Sequence, residues 1–122
     1  MDKPDVTEFE ISRKEWLRGE GSDNSYLYRL ADEKKCCLGI GALACGYKLD
    51  EIMEERTPYD LDAELGLRGF FTRLMNYEDR GPTTFCSRLM AVNDDPAITD
   101  QVREEQLTEM FACIGVKVTF TE

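Results

Sequence analysis

The chain has 122 residues, 42% hydrophobic and 33% charged, which suffices for one core and lies outside the disordered range, so a single domain over 1–122 is expected. A formal charge of -10 argues against direct nucleic-acid binding, because the phosphate backbone recruits clustered Lys and Arg. The absence of histidine removes the commonest general base and the commonest metal ligand, and 5 cysteines, two of them adjacent, do not suit a disulfide framework.

Phe9 and Ile11 alternate with Glu8 and Glu10, which predicts a short half-buried strand over Thr7 to Ile11. Ser12-Arg13-Lys14-Glu15 has the spacing of a capping box, and Gly19 offers a stop, so a helix carrying Trp16 and Leu17 is expected between them. Gly21-Ser22-Asp23-Asn24 reads as a turn. Tyr26 to Leu30, rich in strand formers, reads as a second strand.

Cys36 to Gly46 is apolar on every side, which predicts a buried central helix over about Cys37 to Cys45, with Gly46 as its left-handed cap. Two glycines in a helix interior are unfavourable by about 0.5–1 kcal/mol each, so Gly39 and Gly41 imply close approach by neighbouring groups. The run is too short to span a bilayer. Met1-Asp2-Lys3-Pro4-Asp5 has no basic region leading into an apolar stretch, so a cytoplasmic protein without membrane contact is expected.

Leu49 to Glu55 predicts a short helix broken at Pro58, and Asp60 to Arg80 a helix whose pattern is fragmented by Gly66, Gly69 and Gly81. Pro82 to Val92 predicts another, ended by Asn93-Asp94-Asp95-Pro96. Thr99 is the expected N-cap of a last helix with Leu107, Met110, Phe111 and Ile114 as its buried stripe and Gly115 as its end. Val116, Val118 and Phe120 then alternate with polar residues, as a strand requires. The expected fold class is α+β: a small antiparallel sheet formed by both chain termini, with Tyr26 to Leu30 as a further member, packed on one side by several helices.

The arrangement Trp16-Leu17-Arg18-Gly19, Ser25-Tyr26-Leu27, Lys35-Cys36-Cys37-Leu38-Gly39 and Leu89-Met90-Ala91-Val92-Asn93-Asp94 resembles small uncharacterised proteins encoded by bacteriophages and prophages. The resemblance implies a bacterial or phage cytoplasmic setting and carries over no catalytic residue. The chain departs from that pattern after Asp95.

Chemistry finds little support in the residues. Cys36 or Cys37 at a helix N-terminus, near Lys34 and Lys35, is the one arrangement that suits a thiolate, and its competing reading is a buried thiol. Zinc would need Cys86 and Cys113 to approach the Cys36-Cys37 pair, against the usual spacing of ligand pairs. Asn93, Asp95, Thr99 and Glu104 share part of a calcium-loop spacing, but Ile98 stands where glycine is needed. Gly39-Ile40-Gly41 lacks the third glycine of a dinucleotide fingerprint. No cofactor, metal or enzymatic activity is expected.

The remaining signal is acidic. Glu105 and Glu109 share the face opposite Leu107 and Phe111, and Asp94, Asp95, Asp100 and Glu104 lie nearby in sequence. These six residues are the expected partner-binding surface for a basic protein, such as a host or defence protein that normally engages nucleic acid. An ordinary solvated face is the bland alternative. The rival functions are a thiol-dependent enzyme or redox protein, and a homo-oligomeric structural protein joined through Phe70, Phe71 and neighbouring apolar groups.

Overall fold

A computed structural model of the chain describes residues 6–77 and 84–122, without the side chains of 22, 60 and 62–64. Strand β1 (Glu8–Ser12) is followed by a single 3-10 turn (Ser22–Asn24) and helices α1 (Cys37–Ala44), α2 (Leu49–Ile52), α3 (Pro58–Leu65), α4 (Phe71–Asn76), α5 (Phe85–Asp94) and α6 (Asp100–Cys113). Strand β2 (Lys117–Thr121) completes the order. Arg80, Gly81, and Pro82 at the expected start of α5, lie outside the described residues; α5 begins instead behind Thr84, whose hydroxyl accepts from the Ser87 N–H.

The two strands pair parallel, with Glu8 opposite Lys117 and Ser12 opposite Thr121, which corrects the expected antiparallel sheet. The direction of β2 is set by the turn that precedes it. Gly115, at φ 74°, closes α6 with a 6→1 hydrogen bond from Val116 N to Phe111 O, and β2 packs back along α6. Parallel pairing needs a long crossover, and here the intervening helices supply it. Phe9, Ile11 and Val118 are buried while Glu8, Glu10, Lys117 and Thr119 are exposed, so the helices cover one face of the pair.

Tyr26 to Leu30 does not join that sheet. Tyr28 bridges to Met53, and Arg29 turns back to Lys34, so this extended segment lies against the end of α2 instead.

The helix expected behind Ser12 is also absent. Ser12 stays in β1, and its hydroxyl donates to the Glu122 carbonyl instead of capping a helix. Lys35 N donates to Glu15 O and Leu17 N to Lys35 O, which holds Trp16 and Leu17 in a ladder beside residue 35. Long-range backbone pairing therefore outweighs the local capping signal, and it buries both apolar side chains.

At the centre, α1 behaves as its composition requires. A Cβ on Gly39 would stand 1.7 Å from the Leu27 carbonyl oxygen, and one on Gly41 would stand 2.7 Å from the Phe70 ring. The glycines thus allow one chain segment and one aromatic ring to touch the helix axis. Phe70 stacks on Phe9 at 5.4 Å between centroids, and Phe111 meets both rings edge-on. Buried apolar residues from Phe9 to Val118 form one connected core. No helix among the described residues is long and apolar enough to cross a membrane.

Candidate functional site

The six acidic residues expected on one surface divide between two places. Asp94 is buried at the end of α5. Asp95 accepts from the Ala97 N–H at 2.8 Å and so shapes the loop between α5 and α6. Asp100 is exposed, but its carboxylate pairs with Arg18 at 3.2 Å and Arg103 at 3.4 Å.

The other three, Glu104, Glu105 and Glu109, line a shallow groove between α6 and β2 with a volume of about 510 Å³, with Phe120 at its side. Thr99 caps α6 as expected, its side chain accepting from Val102 N, and the helical spacing brings the glutamates to one edge. Arg13 already occupies part of this site. Its Nε and Nη2 donate to the two Glu104 oxygens at 2.9 and 2.8 Å, and its guanidinium carbon stands 5.9 Å from the Phe120 centroid. Glu105 and Glu109 remain exposed.

Beneath Asp94 lies a buried polar centre that sequence reasoning did not single out. Asn93, 1% exposed, accepts at Oδ1 from the Trp16 indole at 2.8 Å and from Cys37 N at 3.1 Å. Its Nδ2 donates to Leu17 O at 3.1 Å and to Asp94 Oδ1 at 2.9 Å, so both donors and both acceptor positions are filled. Arg103 is also buried, and it donates to the carbonyls of Val92, Asn93, Asp95 and Ile98. These bonds satisfy carbonyls at and beyond the end of α5, and they hold α6 against it. Gly19, at φ 69°, passes so close that a Cβ there would stand 2.9 Å from the Arg103 guanidinium.

Three cysteines stand around this centre. Burial pushes the Cys36 and Cys86 thiols up to about 12, and raises Cys37 well above its ordinary value. Cys36 sits at the N-cap of α1, where the Gly39 and Leu38 N–H groups favour the thiolate, but desolvation is the larger effect and the nearby Asp94 adds to it. Burial at this helix end thus favours the protonated thiol over the thiolate. Among the described residues, no group of three or more Cys, Asp or Glu has the geometry to hold a metal ion.

Above Asn93 and Asp94 is a cavity of about 260 Å³. It opens where the 21–25 turn, the start of α1, the end of α5 and the Arg56-Thr57 corner meet. Ser25, Cys36, Cys37, Asn93 and Asp94 thus line one cavity, with the Trp16 indole bonded to Asn93 behind it. No family model, curated protein sequence or solved structure matches the chain.

Proposed function

We propose that this protein acts without catalysis, by binding a basic segment of another protein in the groove between α6 and β2. The observation that carries the reading is the seat of Arg13, where a guanidinium is held bidentately by Glu104 beside Phe120. Glu105 and Glu109 offer the same chemistry to an incoming Arg or Lys, and no partner within the chain neutralises them among the described residues. Carboxylates beside an aromatic ring suit guanidinium in particular, which is planar, weakly hydrated and able to stack.

The overall charge of -10 supports the same reading, because it steers basic partners and repels nucleic acid. Proteins that bind nucleic acid display basic grooves, so one of them, of host or phage, is the natural partner class. The resemblance of the Trp16, Cys36-Cys37 and Asn93-Asp94 motifs to phage-encoded proteins supports a cytoplasmic bacterial setting.

Burial weakens the features that suggested the rival readings. Phe70 and Phe71 are fully buried in the aromatic core and offer no surface for self-association. Raised thiols at Cys36 and Cys37 do not favour a nucleophile, and only Cys113 of the five cysteines is exposed. Alkylation of the native protein should accordingly modify Cys113 first; rapid modification of Cys36 or Cys37 would restore the thiol reading.

The direct test compares proteins retained from a bacterial lysate by the wild type, by E105Q/E109Q, and by E8Q/E10Q, which removes equal charge from the exposed face of β1. The expected result is a basic protein released by salt, retained by the wild type and E8Q/E10Q, and reduced roughly tenfold for E105Q/E109Q. Equal loss in both double variants would reduce the effect to bulk charge and overturn the groove as the site.

A further inference from the structure

We propose that the cavity above Asn93 and Asp94 binds a small zwitterion, an α-amino acid with a short apolar side chain, its ammonium on Asp94 and its carboxylate on Arg56. This site is independent of the α6–β2 groove, with which it shares no lining residue.

At the floor of the cavity, Asp94 would receive the ammonium. Asp94 is only 8% exposed, and among the described residues no Lys or Arg lies within ion-pair distance of its carboxylate. Arg103, the nearby cation, favours the Asp94 charge only at a distance, because its donors go to four backbone carbonyls and to Asp100. Asn93 and Ser25 each give Asp94 one hydrogen bond, and Asn93 has nothing left to offer. A buried carboxylate is expensive unless paired, and burial raises the pKa of Asp94. An ammonium entering the cavity supplies the missing charge and up to three donors.

At the mouth, Arg56 would receive the carboxylate. Arg56 stacks its guanidinium on the Tyr26 ring at 4.7 Å and donates from Nη2 to the Tyr26 hydroxyl at 2.9 Å. It is thereby held in place with further N–H groups available for a carboxylate. Between floor and mouth, Met90 and the protonated thiols of Cys36 and Cys37 give an apolar wall. A ligand carrying ammonium, carboxylate and apolar group meets a counterpart at each point. A cavity of about 260 Å³ has room for a single such amino acid and little else.

The experiment follows the amide spectrum of the 15N-labelled protein during separate titrations with L-alanine, L-valine, L-leucine and L-methionine. It adds two truncated forms of leucine, isopentylamine without the carboxylate and 4-methylvalerate without the amine. At least one amino acid is expected to shift the amides of Ser25, Cys37 and Asn93 saturably. Isopentylamine should bind at least tenfold more weakly than leucine, and 4-methylvalerate should leave the spectrum unchanged. Arg56→Gln, a change at the exposed rim, should weaken the amino acid at least tenfold while leaving isopentylamine unaffected. Asp94→Asn should abolish binding of both. If Asp94→Asn fails to fold, Met90→Trp, which fills the cavity, takes its place with the same expected loss. The proposal is overturned if none of the four amino acids shifts these amides, if 4-methylvalerate binds as well as leucine, or if either cavity variant, folded, binds as the wild type does.

Discussion

At the end of α5, the amide of Asn93 lies in the interior with all its hydrogen-bonding positions filled, whereas along α6 the carboxylates of Glu105 and Glu109 are exposed and, among the described residues, paired with no cation. Both places combine polar side chains with an aromatic ring, Trp16 in one and Phe120 in the other. The first uses its polar groups to hold three chain segments together; the second leaves them available. A polar residue that the fold has saturated is a poor candidate for recognition, and one that the fold has left unpaired at a groove is a better one. Asp94 combines both properties, being buried while, among the described residues, no Lys or Arg lies at ion-pair distance from it.

The contrast can be broken by substitution. Asn93→Leu should have the largest effect, destabilising the protein by about 3–5 kcal/mol in urea denaturation, because the Trp16 indole, Cys37 N–H and Leu17 carbonyl lose a buried partner together. Gly39→Ala should follow at about 2–3 kcal/mol, since the added methyl meets the Leu27 backbone and not a side chain that can turn aside. Thr99→Ala removes the acceptor at the start of α6 and should lower stability by about 1 kcal/mol. Replacing Glu105 and Glu109 by Gln should change stability by less than about 0.5 kcal/mol, with a slight gain at low salt from the lost repulsion. A cost of several kcal/mol there would mean that the groove is built into the fold like the floor.

The subtlest signal is a slope against pH. Burial raises Asp94 in the folded protein, so the native state keeps this proton after the unfolded chain has released it. Its contribution is therefore fully favourable below the ordinary carboxylate value of 3.8, and stability declines as pH rises through the raised folded value. Asp94→Asn should remove that decline, measured by denaturation between pH 3 and pH 7. An unchanged slope would show that Asp94 is as well solvated as the groove glutamates.

Legibility in the sequence follows the range of the interactions. The close approach at Gly39 and Gly41, the Thr99 cap and the alternation of Val116, Val118 and Phe120 are written in neighbouring residues, and each has its counterpart in the structure. The Ser12 capping box was equally plain locally and lost, because Glu15 and Leu17 find backbone partners at Lys35. Strand direction depends on how α6 turns at Gly115 relative to β1, which no local pattern encodes. Asn93 read as a helix stop because its partners Trp16 and Cys37 lie 77 and 56 residues away. Of the acidic surface, the pairing of Glu105 with Glu109 was visible as helical spacing, but the burial of Asp94 and the capture of Glu104 by Arg13 were not.

The parallel pairing of β1 with β2 also has a consequence for synthesis. Ser12 meets its neighbours across 110 residues, so at about 5–20 residues per second β1 waits roughly 5–20 s on the ribosome before β2 exists. Until then the edge that β1 gives to β2 in the finished sheet has no partner strand. Glu8 and Glu10, which face outward in the finished sheet, interrupt the apolar pattern of Phe9 and Ile11 with like charge and act as gatekeepers before the fold exists. A Glu8→Val/Glu10→Val variant should accordingly lose soluble yield out of proportion to any change in the stability of its folded fraction.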